Sequence, residues 1–176
     1  MIDPLLTTSG QYFLAALLLL SGVHKVTHLQ RFKQALAAYQ LVPACLMGMM
    51  AIALPIGELF AGTLLLLSVQ FWGGFAAALM FSLYFLAMLI NIQRGHTRVD
   101  CGCSFSRQEA PLSPWHLIRN GFLIALAVFT LLPSNGRDLM GFDIVQISLA
   151  ILCLGLFYLG FDSLLANRNY QMGKEA

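Results

Sequence analysis

Five long apolar runs, parted by short polar stretches, decide what this chain can fold into. Residues 12–23 carry no charge, and neither do residues 71–92. A backbone in lipid must satisfy its own N–H and C=O groups, so helices or closed barrels are the structures that cross a bilayer. Apolar runs of about 17–25 residues have the length to do so as helices. Only 10% of the chain is charged, against about 25% in a soluble domain, so lipid is the solvent for most of its surface. The expectation is an all-α integral membrane protein, one domain over 1–176, with about five transmembrane helices and one interfacial amphipathic helix.

The runs place the spans at about 10–26, 44–69, 71–92, 115–132 and 141–161. Residues 29–42 are different. Phe32, Leu36 and Tyr39 recur at helical spacing, with Arg31, Lys33, Gln34 and Gln40 between them. That pattern suits a helix lying in the interface, with Pro43 ending it. A tight turn over 68–72 makes the second and third spans an antiparallel hairpin, with Trp72 as an interfacial anchor. Residues 93–114 are a polar loop, 133–136 a turn, and Asp162 and Arg168 open a polar tail. Residues 1–9 lack Lys and Arg, and no small-x-small site follows 17–20. The first run is therefore expected to be a retained helix rather than a signal peptide.

Five spans put the two ends on opposite sides. Lys25, Arg31, Lys33, Arg94, Arg98, Arg107, Arg119, Arg168 and Lys174 then share one side, and Arg137 has the other. The positive-inside rule places the loop over 93–114 and the C-terminus in the cytoplasm, with the N-terminus outside. A net charge of +2 says little about partners beyond the lipid bilayer, and nucleic acid is not among those expected.

The polar loop holds Asp100-Cys101-Gly102-Cys103. A disulfide between residues i and i+2 closes a very small ring, reached only with backbone strain, and Gly102 supplies the freedom. A strained, exposed disulfide exchanges readily. Arg94, Arg98 and Arg107 lie nearby in sequence, and positive charge favours the thiolate. The functional reading is a redox-active dithiol. Two other readings stand beside it: unreactive thiols, or metal ligands with His96 or His116. A lone Cys-x-Cys falls short of the four ligands of a structural zinc site. Cys45, at the start of the second span on the same side, is a candidate resolving thiol. Cys153, mid-span, reads as a small buried hydrophobe.

Glu58 is the other outlier, since an ionisable residue inside a span is a functional-site hypothesis by default. It can stay protonated on a backbone carbonyl, pair with a basic group, or relay a proton. Lys25 is the candidate partner. Placed at the membrane edge, it would stand roughly 20 Å from Glu58 at 1.5 Å per residue, so pairing would need tilt or unwinding at Pro55. His24 and Lys25 also read as interfacial anchors, with Lys25 snorkelling. Gly57 and Ala61 make a small-residue face for close helix packing.

Taken in order, these pieces resemble a family. Gly22-Val23-His24-Lys25, the stretch from Phe32 through Tyr39 to Leu41-Val42-Pro43, Leu54-Pro55-Ile56-Gly57-Glu58, Arg94-Gly95, Asp100-Cys101-Gly102-Cys103 and Arg119-Asn120 are similar to the methylamine utilisation protein MauE family. The likeness extends more distantly to the DoxX membrane proteins. This chain departs after the pair, with Ser104-Phe105-Ser106 where the family often reads Cys-Phe-Gly. The resemblance implies a bacterial inner-membrane protein that helps mature an exported, disulfide-rich quinoprotein, the methylamine dehydrogenase small subunit. It also implies a thioredoxin-like partner of the MauD type, tethered to the membrane and facing the periplasm. The residues assigned to the chemistry are Cys101, Cys103 and Glu58, supported by Gly102, Cys45, Lys25, His24, Arg94 and Arg119.

The implied client is periplasmic, while the charge count puts the pair in the cytoplasm. The favoured resolution carries reducing equivalents outward from cytoplasmic thioredoxin and corrects disulfides. In the other, the pair faces the periplasm and passes electrons to a quinone, as DsbB-type proteins do. The competing class is a non-enzymatic membrane scaffold whose pair is structural or holds metal.

Overall fold

The structure, a computed structural model, describes residues 3–68, 70–95, 114–133 and 140–172. The Asp100-Cys101-Gly102-Cys103 motif, His96, Arg98, Arg107 and the turn beyond Pro133 lie outside the described residues. Among the described residues six helices follow in order: α1 (Pro4–Thr27), α2 (Leu29–Ala38), α3 (Met47–Leu66), α4 (Gln70–Gln93), α5 (Pro114–Phe129) and α6 (Gly141–Met172). Helices α1, α3, α4 and α6 are long and apolar enough to cross a membrane, and α5 is a shorter apolar helix. The protein is an all-α membrane protein.

Several boundaries differ from the sequence reading. Helix α1 starts six residues earlier than expected because Asp3 caps it, its carboxylate accepting from the Leu5 N–H at 3.0 Å, with Pro4 in the first turn. Thr7, Ser9 and Gln11 are buried polar side chains in the first turns of α1. Inside the bundle all three are satisfied: the Thr7 hydroxyl donates to the Pro4 carbonyl at 3.1 Å, Ser9 to Leu5 at 2.7 Å, and the Gln11 amide to Leu65 at 2.6 Å. Helix α2 ends at Ala38 rather than at Pro43, because Gln40 sits in the left-handed region at φ 51°. Helix α3 begins at Met47, three residues late. Helix α6 runs on through Asp162 and Arg168 to Met172, where a polar tail was expected.

Helices α1 and α3 are antiparallel and very close. A Cβ on Gly22 would stand 2.8 Å from Leu59 Cγ and 3.2 Å from the Pro55 carbonyl oxygen. A Cβ on Gly62 would stand 2.8 Å from Leu19 Cγ and 3.3 Å from the Ala15 carbonyl oxygen. Small residues that let backbones approach are how helices associate in lipid. Gly57, expected to pack closely on a neighbouring helix, does so on α4, where a Cβ would stand 3.3 Å from Met80 Sδ. The α3–α4 hairpin turns at Ser68, φ 57°. Helix α5 returns antiparallel to α4, tied to it by the Asn120 amide donating to the Phe81 carbonyl at 2.8 Å. Leu14, Leu18, Leu65, Phe81 and Leu123 form the core. Large apolar side chains such as Ile52, Phe60, Leu79 and Leu149 point outward, as a lipid-facing surface requires. Cys153 is exposed on the outer face of α6 rather than buried in the bundle.

Candidate functional site: a buried ion pair beside a cavity

Long helical side chains lean toward the N-terminus of their own helix. In an antiparallel pair the two sets therefore lean toward each other. Gly22 is level with Pro55 and Leu59, so Lys25 and Glu58 sit only about 6 Å apart along the axis. Lysine leans inward from the C-terminal end of α1, glutamate leans outward from the body of α3, and they meet. Helix α3 continues unbroken through Pro55, so no unwinding is needed and the separation of roughly 20 Å is corrected.

The Lys25 ammonium bonds Glu58 Oε1 and donates to the Tyr84 hydroxyl at 3.1 Å. It also lies 4.5 Å from the Tyr84 ring centre and 5.3 Å from that of Phe32, close enough for cation–π attraction. Ser21 donates to Glu58 Oε1 at 3.3 Å. Each side chain of the pair is only 1% exposed. Lys25 is thus neither an interfacial anchor nor snorkelling: it joins α1, α2, α3 and α4 through Glu58, Phe32 and Tyr84. Glu58 Oε2 is buried and has no hydrogen-bond partner among the described residues.

Beside the pair lies a cavity of about 180 Å³. Its wall is mostly apolar, and Glu58, Arg119 and Asn120 are among its polar members. Arg119 is 8% exposed, with its guanidinium 5.1 Å from the Tyr158 ring centre. The structure therefore brings Glu58 and Arg119 to the wall of one cavity, with Lys25 bonded to Glu58.

The other sequence candidates lie apart. His24 is half-buried and packs its ring on His28, centroids 4.6 Å apart. Arg94 is exposed just past α4, which Gly95 closes at φ 74°, its N–H bonded to the Ile92 carbonyl at 3.1 Å. Cys45 is exposed in the turn before α3. His116, offered as a metal ligand, is buried in α5. Cys45, His24, Arg94 and both ends of the Cys-bearing segment share the α2 end of the bundle, and the cavity lies in that half. Tyr84 and Ser21 were missed by sequence reasoning, since a tyrosine or serine in an apolar run carries no signal of its own.

Fold and site define a multi-pass α-helical membrane protein organised on a buried lysine–carboxylate pair. The chain belongs to the methylamine utilisation protein MauE family, whose family model matches residues 3–133. That match takes in α1 to α5 and the Cys-Gly-Cys segment, and it stops short of α6. Methylamine utilization protein MauE of Methylorubrum extorquens is 33% identical over 130 residues, 73% of this chain and 69% of the relative. Its counterpart in Paracoccus denitrificans is 28% identical over 137 residues, 76% and 74%. That of Paracoccus versutus is 30% identical over 127 residues, 72% and 68%. No solved structure matches the chain.

Proposed function

We propose that the protein performs thiol–disulfide exchange in the bacterial inner membrane, in support of maturing an exported disulfide-bearing protein of methylamine utilisation. The observation that carries this reading is Cys101-Gly102-Cys103, a thiol pair in the segment joining α4 to α5, within the stretch matched by the family. The partner would be a thioredoxin-like protein of the MauD type, and the client a methylamine dehydrogenase small subunit or a protein like it. One thiolate of the pair attacks the partner's disulfide, forming a mixed disulfide and releasing one partner thiolate. The second thiol attacks that bond, closing Cys101–Cys103 and releasing the partner dithiol. Resolution is intramolecular and needs no further cysteine.

The test is complementation with the four Cys→Ser single variants, scored by disulfide content of the client. Cys101→Ser and Cys103→Ser are expected to abolish maturation, and one of them to trap a mixed disulfide with the partner. Cys45→Ser and Cys153→Ser are expected to stay near wild type. Maturation at the wild-type level in both Cys101 and Cys103 variants would leave a scaffold as the function.

Sidedness rests on charge. Lys25 and Arg119 are buried within the bundle and no longer count toward the positive-inside bias. Of the eight remaining cations, Arg31, Lys33 and Arg94 stand at the α2 end; by chain order Arg98 and Arg107 belong to the segment joining α4 to α5, Arg168 and Lys174 to the C-terminal stretch, and Arg137 to the segment joining α5 to α6. The Cys segment and C-terminus are therefore expected in the cytoplasm, where the thioredoxin-like protein that meets the pair directly is cytoplasmic; direct exchange with a MauD-type partner in the periplasm requires the reverse orientation. An impermeant maleimide should label Cys101, or an added C-terminal cysteine, only after cells are permeabilised. Rapid labelling in intact cells would reverse the orientation.

A further inference from the structure

We propose that the cavity beside Glu58 binds the hydroxylated aromatic ring of a membrane-soluble quinol. This inference draws nothing from the cysteine pair. Size comes first. An apolar protein cavity of about 150 Å³ accepts benzene, so about 180 Å³ suits one substituted ring. The wall comes next. Leu18, Leu54, Phe81 and Leu123 line it, which disfavours a hydrated ligand and favours one that arrives from the bilayer.

Glu58 then sets the chemistry. Its Oε1 already receives Lys25 and Ser21, while Oε2 is buried with no partner among the described residues. A buried acceptor left unmet is costly, and a ligand O–H that donates to it removes that cost with a charge-assisted bond. Arg119 lines the same cavity and is a donor only. It suits an oxygen that accepts. A ring carrying both an O–H donor and a second oxygen matches the two groups, and a quinol is a membrane-soluble aromatic class with that pattern. A lipophilic phenol shares the donating hydroxyl but lacks the second oxygen.

The test uses the full-length protein in lipid nanodiscs with three probes: decylhydroquinone kept anaerobic, decylbenzoquinone and 4-decylphenol. The hydroquinone is expected to bind about tenfold tighter than the benzoquinone, which has no O–H for Glu58, and several-fold tighter than the phenol. Glu58→Gln should abolish the preference for the reduced ring, because a carboxamide can donate N–H to a quinone carbonyl. Ala35→Trp on α2 and Ala87→Phe on α4 both enlarge cavity-lining residues and should each remove binding. If Glu58→Gln fails to fold, the oxidation-state comparison on the wild type and the two filling variants still decide. Equal binding of the oxidised and reduced rings overturns the proposal. So does phenol binding as tight as the hydroquinone, or binding that survives both filling variants. None of these outcomes bears on the Cys→Ser series, so this site and the thiol exchange stand or fall separately.

Discussion

Replacing Glu58 with leucine is expected to remove most of the folded protein, and adding Lys25→Met to the same chain is expected to bring it back. Both side chains are 1% exposed. Removing one partner of a buried pair leaves an uncompensated charge and costs about 3–5 kcal/mol, a large share of a total stability of about 5–15 kcal/mol. The Tyr84 hydroxyl and the two rings near Lys25 remain in Glu58→Leu, but cation–π contacts supply only about 0.5–2 kcal/mol. With both charges gone, apolar replacements of similar volume are neutral or stabilising by about 1–4 kcal/mol. Folded yield in detergent and the melting temperature of the three variants provide the measurement. Independent, additive losses in the double variant would mean that the two side chains do not depend on each other.

The same pair shows how far the sequence could be read. Glu58 and Lys25 were both visible as charges beside or within apolar runs. Their pairing was named, but only with tilt or unwinding at Pro55, because depth was counted from an assumed start at residue 44 and Lys25 was assigned to the membrane edge. What closes the gap is the α1–α3 register, set by Gly22 and Gly62, and one glycine on a helix does not announce which neighbour it faces. The first turns of α1 lie ahead of the span read from the apolar run, and their polar Thr7 and Ser9 find acceptors within α1 itself. The helical class and the order of the spans were legible because they depend on length and hydropathy alone. The cavity was not, since it is assembled from residues far apart in the chain. Cys101 and Cys103 are the reverse case: the motif is plain in sequence, and its geometry falls outside the described residues.

Gly22→Leu is expected to separate α1 from α3 and to take the ion pair with it. The new Cβ would meet Leu59 at 2.8 and 2.9 Å and the Pro55 carbonyl oxygen at 3.2 Å. Leu59 can swing away, but the Pro55 carbonyl is backbone in the middle of α3, so α1 must move as a body. Overpacking of this kind typically costs about 1–3 kcal/mol and sometimes more, and here it comes with weakened Lys25–Glu58 bonding, which depends on the same approach. Gly22→Ala brings the Cβ alone and recovers up to about 1 kcal/mol of helix propensity, so its loss should be visibly smaller. Gly62→Leu attacks the same interface from the other helix, against Leu19 and the Ala15 carbonyl oxygen, and should resemble Gly22→Leu. Gly48→Ala is the control, since a Cβ there meets nothing within 4 Å; it should melt at or slightly above the wild type. If Gly22→Leu and Gly62→Leu both melt with the wild type, the close α1–α3 contact is not what holds Lys25 and Glu58 together.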